Sequence, residues 1–395
     1  MALIQSNSVP SGPAPALHEQ TQSCQTLKGT HVNFKRIGRP LVIAIAAGLA
    51  LSSCAANEGT APVSDNASAS TLTGTLNGAG ASSMAAAQEA WRAAFQKANT
   101  GVTVNYDPTG SGAGRKTFAS GGSDFAGSDS YMSADEIAAS FASCAPDSKA
   151  VDLPVYISPI AVVFNVEGVT NLNVDSDTLA KIFAGTITTW DDAAIVALNP
   201  DEKLPQTPIT AVHRSDDSGT TKNFSDYLGQ TAPAIWTEKA SDTFPFQSGE
   251  GAQGTSGVVS AVTNGVGTIG YADASQAGEL STAKLKVGND FVAYTPEAAA
   301  EVVAGSPLVP DRAADDLALD LNRKTTNPAE YPLVLVSYAI VCNEYADAAQ
   351  GELVKAYVEF IASAEGQAVA EKAAGVAPLT TELEANVAAV LATVK

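Results

Sequence analysis

The sequence predicts an α/β fold with mostly parallel sheets, arranged as one large bilobed body or two domains of ordinary size. Three observations carry this. Short β-rich runs at Val102–Tyr106, Val151–Val166, Ile209–His213, Thr268–Ala272 and Val334–Val341 alternate with Ala-rich helical stretches, the order that builds parallel sheets through helical crossovers. The 32 glycines and 20 prolines imply many turns and argue against one long helical array. The length of 395 residues, with 45% hydrophobic and 16% charged, fits a body of this size. No internal repeat is visible.

The N-terminal region reads as an export signal spanning residues 1–53. Lys35, Arg36 and Arg39 form a basic region, and Leu41 to Leu51 an apolar run too short to span a membrane comfortably. Leu51-Ser52-Ser53-Cys54 follows and resembles the lipobox of bacterial lipoproteins, so Cys54 is the expected acylated first residue of the mature chain. A buried helix ending in a free cysteine is the alternative. The proline-rich stretch SVPSGPAPALHEQTQ is atypical ahead of a signal's basic region, and a translation start nearer Val32 is expected. Residues 54–71 are the expected lipidated tether. Ala55 to Ser70 lacks apolar bulk and periodicity, and a coil of that length spans about 20–25 Å.

Beyond the tether, Met84, Ala87, Trp91, Ala94 and Phe95 share one face of a helix over Ala85–Ala98, which Asn99-Thr100-Gly101 ends. Ser133-Ala134-Asp135-Glu136 has capping-box spacing, and Ser176 is the expected N-cap of a helix over Asp177–Phe183. Cys24 lies in the removed segment, which leaves Cys144 and Cys342 in an exported body. That count favours one disulfide, with two buried thiols as the alternative.

Three clusters of small polar residues follow strands and open helices. They are Gly78–Ser83 (GAGASS), Thr109–Gly114 (TGSGAG) with Phe125–Asp129 (FAGSD) after it, and His213–Thr221 (HRSDDSGTT). Glycines at such junctions let backbone N–H groups approach a ligand. Helix N-termini add unpaired donors and partial positive charge, and hydroxyls add more donors. Converging, the loops would form an anion site needing little net charge. Each alone reads rather as a plain connector.

Other chemistries find little support. Gly110–Thr117 (GSGAGRKT) misses the nucleotide P-loop because Arg115 stands where the glycine before the lysine belongs. Its glycine spacing is not the dinucleotide fingerprint. There is no Gly-x-Ser-x-Gly elbow, no histidine/cysteine cluster of metal-ligand spacing and no EF-hand pattern. No cofactor is expected. His213, the one histidine after the signal, directly precedes Arg214 at a strand end and reads as structural, pointing away from it. The formal charge of −20 argues against a basic surface for nucleic acid or anionic lipid.

Taken in order, the clusters resemble the phosphate-binding proteins of the phosphate-specific ABC transporter, over about Leu72 to Ala377. The resemblance is carried by LNGAGASS (Leu76–Ser83), VNYDPTGSG (Val104–Gly112), FAGSDS (Phe125–Ser130), LAKIFAGTITTW (Leu179–Trp190), HRSDDSGT (His213–Thr220) and TIGY (Thr268–Tyr271). Lipidation and the Cys144/Cys342 pair resemble its actinobacterial branch.

The resemblance implies a type II periplasmic-binding-protein fold. Lobe 1 would comprise residues 72–157 and 337–395, and lobe 2 residues 158–336. Crossover strands within Leu153–Asn165 and Tyr331–Cys342 would join them, with phosphate enclosed between the lobes. It further implies donors from Ser82, Ser83, Ser111, Ser218, Gly219 and Thr220. Arg214 would pair with the phosphate oxygens, oriented by Asp216, and Asp129 would accept the proton that phosphate retains. The family has threonine and an aromatic where this chain has Ser82 and Ser83, which leaves the role of Ser83 open.

Asp129 carries the selectivity argument. Phosphate keeps a P–O–H at neutral pH, whereas sulfate has no proton to donate and would set its oxygens against an unpaired carboxylate. The function expected is extracytoplasmic phosphate binding and delivery to membrane permease and ATPase subunits, without catalysis, from a lipid anchor at the outer face of the membrane. A secreted phosphatase-like hydrolase, or a sensor or adhesin lipoprotein on the same fold, is the alternative.

Overall fold

A computed structural model describes residues 71–395. The expected signal, the start near Val32, the acylated Cys54 and the tether as far as Ser70 lie outside the described residues.

The chain opens with β1 (Thr73–Gly80), α1 (Ala85–Ala98), β2 (Gly101–Asp107), α2 (Ser111–Ala119), β3 (Phe125–Ser128) and the short α3 (Ala134–Ala138). The long strand β4 (Ala150–Asn165) then leads to β5 (Asn173–Val174), α4 (Ser176–Phe183), α5 (Ala193–Leu198), β6 (Thr210–Arg214) and α6 (Gly219–Thr231). Next come β7 (Glu250–Ala252), α7 (Gly254–Asn264), β8 (Thr268–Asp273), β9 (Ser281–Thr282), β10 (Lys284–Val287), β11 (Asp290–Val292) and α8 (Pro296–Ala304). β12 (Val334–Cys342) returns the chain to α9 (Ala348–Ala362), α10 (Ala364–Ala374) and α11 (Thr381–Leu391).

Local signals account for most helix ends. Met84, Ala87, Trp91 and Phe95 are buried along α1, with Ala94 half-buried. Asn99 stops this helix by donating both its N–H and its Nδ2 to the Phe95 carbonyl, each at 2.9 Å. Ser133 and Glu136 form the expected capping box of α3. The cap of α4 differs from expectation by one position. Asp175 accepts from Thr178 N at 2.8 Å, so Ser176 is the first helical residue. An aspartate caps as well as a serine, and it stood one residue nearer the strand.

The main sheet runs β2-β1-β3-β12-β4-β8-β6-β7, with β9 also on β4, and a small sheet runs β11-β10-β5. Both wings of the main sheet, β2-β1-β3 and β8-β6-β7, are parallel, as the alternation of strands and helices predicts. The centre differs. β12 pairs antiparallel with β3 and β4, and β4 antiparallel with β8. β4 serves both wings, pairing with β12 over Ala150–Pro159 and with β8 over Ile160–Asn165.

Its two prolines sit where the ladder changes. Val155 is bulged out opposite Ser337/Tyr338, beside Pro154, and Pro159 is the last residue paired to β12. Proline cannot donate a ladder hydrogen bond, so these positions suit it. Nearly all of β4 and all of β12 are buried, which explains their continuous apolar runs.

Cys144 and Cys342 form a disulfide with Cα atoms 5.4 Å apart, so the two-thiol alternative falls. Among the described residues no helix is long and apolar enough to cross a membrane.

Candidate functional site

The three small-residue clusters converge on Asp129, which follows β3 and is 3% exposed. Ser83, just ahead of α1, donates its hydroxyl to Asp129 Oδ1 at 2.5 Å. Thr220, in the first turn of α6, donates to Oδ2 at 2.8 Å. Ser111, the first residue of α2, accepts from the Asp129 N–H at 3.1 Å. The N-termini of α1, α2 and α6 therefore meet at Asp129, each contributing partial positive charge. Burial pushes the Asp129 carboxyl above its ordinary value, while hydrogen bonds from Ser83, Ser337 and Thr220 and the charge of Arg214 pull the other way.

Close approach at this centre depends on glycine. A Cβ on Gly219 would lie 2.7 Å from Ser111 Oγ and 2.8 Å from Asp129 Cβ. On Gly110, where φ is +101°, it would lie 2.5 Å from Asp216 Oδ2.

Arg214 ends β6 and is buried. Asp216 takes its Nε hydrogen at 2.7 Å and also bonds Nη2, which among the described residues leaves the Nη1 hydrogens for another anion. Burial works against the Asp216 charge, but Arg214 more than offsets it and holds the carboxyl below its usual range. Asp216 Oδ1 also accepts from Gly254 N at 3.0 Å, tying the guanidinium to the start of α7. Ser218 caps α6 through Thr221 N. Ser82 accepts from Thr255 N at 3.0 Å and shares a hydrogen with Thr255 Oγ1 at 3.1 Å.

All nine expected binding residues thus fall in one cluster, whereas Cys54 is outside the described residues and the disulfide is a separate feature. His213 is occupied structurally, its ring stacked on Phe244 at 3.9 Å and its Nδ1 2.9 Å from the Arg214 carbonyl. Among the described residues no group of histidine, cysteine or acidic side chains could hold a metal ion.

Several residues of the cluster were not anticipated. Ser337 donates to Asp129 Oδ1 at 2.8 Å from the middle of β12. Its signal was a lone serine in an otherwise aliphatic and aromatic strand ahead of Cys342. Asn223 donates to the Asp129 carbonyl at 2.6 Å, and Gln276 to the carbonyls of Ser82 and Ser83 at 2.8 and 3.1 Å. Neither lies in a glycine-rich loop, so no local pattern marked them.

Parallel α/β wings joined through antiparallel crossover strands, with an anion-favouring cluster where the wings meet, define the periplasmic-binding-protein fold. The model described as the PBP superfamily domain matches residues 65–365. The chain is 38% identical over 340 residues to phosphate-binding protein PstS 3 of Mycobacterium tuberculosis, covering 83% of this chain and 91% of that one. It is 40% identical over 291 residues to phosphate-binding protein PstS 3 of Mycobacterium leprae, covering 72% and 78%. A solved high-affinity periplasmic phosphate-binding protein (PfluDING), bound with phosphate, shares the fold at TM-score 0.63 and 22% identity, over 80% of this chain and 93% of that one. The chain belongs to the PstS family of phosphate-binding proteins within the PBP superfamily.

Proposed function

We propose that this protein binds inorganic phosphate outside the cytoplasm and delivers it to the permease and ATPase subunits of an ABC importer. Phosphate is enclosed between lobe 1 (residues 72–157 with 337–395) and lobe 2 (residues 158–336). The protein is held at the outer face of the membrane by lipid on Cys54, and it performs no catalysis. The names of the mycobacterial relatives, and the phosphate bound by the solved neighbour, support this reading.

One observation carries it most. Each carboxylate oxygen can accept a pair of hydrogen bonds. Among the described residues, Ser83 and Ser337 fill Oδ1 of Asp129, whereas Oδ2 accepts from Thr220 alone. Oδ2 therefore keeps one acceptor position within a cluster that otherwise favours anions. A protonated phosphate oxygen fills it and sulfate cannot. Arg214 supplies the countercharge through Nη1, already aimed by Asp216.

Calorimetry with phosphate, sulfate and arsenate, beside a release assay on a chromogenic phosphate ester, tests the reading. Phosphate and arsenate are expected to bind, sulfate far more weakly, and no ester to turn over. Arg214→Ala is expected to weaken phosphate by about 3–5 kcal/mol, since it strips the ligand's full countercharge. Asp129→Asn is expected to weaken phosphate less while narrowing the gap to sulfate, because an amide both accepts and donates. An unchanged sulfate-to-phosphate ratio in the folded variant would remove Asp129 from the selectivity role.

A further inference from the structure

Arg115 is the residue that breaks the nucleotide-loop pattern, and phosphate binding as described above makes no use of it. It projects from α2 and is 7% exposed. Three of its partners belong to its own wing: Glu136 Oε1 at 2.8 Å from Nε, and Ser128 Oγ and Ser130 Oγ at 2.9 and 3.0 Å from Nη1. The fourth does not. Nη2 pairs with Asp242, in the segment that follows α6. Ser130 Oγ reaches the same carboxylate at 3.1 Å.

Both ends of this pair abut the anion cluster. Ser130 is the neighbour of Asp129, and the Asp242 carbonyl accepts from the N–H of Ser218, the cap of α6, at 2.8 Å. Burial disfavours the Arg115 charge, but Asp242 and Glu136 more than restore it.

We propose that Arg115 and Asp242 form an ionic latch across the ligand cleft, which holds the two lobes closed and sets the rate of phosphate release without touching phosphate. The proposal rests on phosphate being the ligand enclosed between the lobes. The arrangement suits a releasable contact. When the lobes part, Arg115 keeps Glu136 and its two serines, so no buried charge is stranded, and Asp242 returns to water. Because Arg115 is held in place by its own wing, closing costs little side-chain ordering. The pair contributes only in the closed form, so it shifts the open–closed equilibrium and hence apparent affinity.

Lys116, the next residue, supplies a contrast. It pairs with Asp217 of the opposite lobe at 2.6 Å, but its side chain is 73% exposed, and exposed pairs contribute little.

The test measures phosphate dissociation by stopped flow and affinity by calorimetry. It compares wild type with Asp242→Asn, Arg115→Met, their double variant and Lys116→Ala, and adds small-angle scattering of each protein free of phosphate. Asp242→Asn and Arg115→Met are each expected to speed release on the order of 10-fold, less than for loss of one partner of a fully buried charge pair, because no buried charge is stranded. The double variant should release no faster than the faster single, and Lys116→Ala should stay within about twofold of wild type. Wild-type release rates in a folded Asp242→Asn overturn the latch, whether or not Arg115→Met folds. If wild type binds no phosphate, the ligand reading fails and scattering alone decides the latch. A more extended Asp242→Asn then supports it, and a profile identical to wild type overturns it.

Discussion

Asp273 ends β8 fully buried. Tyr156 donates its hydroxyl to Oδ1 at 3.1 Å and Ser275 N donates there at 3.0 Å, while Oδ2 has no partner among the described residues. Burial pushes this carboxyl up to about 7; Ser275 and Ser158 pull it down, and Asp129 adds repulsion. Tyr156 and Tyr294 also face it, and its charge raises both phenols further. An unfolded aspartate titrates near about 4. Between about pH 4 and 7 the folded chain therefore keeps a proton that the unfolded chain gives up, so stability falls as pH rises through this window and levels off above it. Asp273→Asn removes this titration. Thermal unfolding from pH 4 to 8 is expected to show a flatter slope for the variant, with stability at pH 8 no lower than wild type. Asp152, which burial and the charge of Asp316 also push up, contributes in both proteins and cancels in the comparison. An equal or steeper slope in the variant refutes the assignment. Arg214 and Asp129 were legible in the sequence through the family resemblance that their flanking glycine-rich loops carry. Asp273 and Ser337 were not, because their importance comes from burial and from partners elsewhere in the chain.

The decisive element is the N-terminus of α6. Its first residue, Gly219, lies where a side chain would meet Ser111, Asp129 and the Ser130 N–H at 2.7 to 2.9 Å, all from the opposite wing. Gly219→Ala leaves the helix cap by Ser218 in place, and alanine is a better helix former than glycine. The variant is therefore expected to fold with a melting temperature near that of wild type. The added methyl group cannot be accommodated with the lobes together, and overpacking of this kind costs about 1–3 kcal/mol. Phosphate affinity should accordingly fall about 5- to 150-fold, read by calorimetry. Unchanged affinity would mean that the lobes do not meet here when the ligand is bound. At this scale the sequence was informative wherever a pattern is local. The extent of α1, the capping box of α3 and the apolar runs of β4 and β12 all follow from neighbouring residues. The strands β1, β3, β5, β7, β9, β10 and β11 were not picked out because none has an apolar run long enough to stand out.

Across the whole molecule, the disulfide closes a loop of 198 residues and joins the segment ahead of β4 to the end of β12. The paired register of Ala150 with Cys342 shows that it fastens the crossover strands at one end. Restricting the unfolded chain in this way stabilises by roughly 2–4 kcal/mol. Replacing both cysteines by serine should lower the free energy of denaturant unfolding by that amount, while leaving phosphate affinity within about threefold if the change acts mainly on the unfolded chain. A large loss of affinity at unchanged stability would instead give the bridge a direct part in shaping the cleft. The sequence by itself determined the strand–helix alternation and the glycine-rich helix starts, while the family resemblance supplied the Arg214–Asp216 pair two residues apart. Each of these depends on geometry within a few residues. Only the tertiary structure decided that β4 and β12 run antiparallel between two parallel wings, that Ser337 meets Asp129 from 208 residues away, and that Arg115 finds Asp242 from 127 away. The chain holds far more donors, acceptors and charges than it brings together, and local pattern does not choose among them. Packing the two wings around one cleft does.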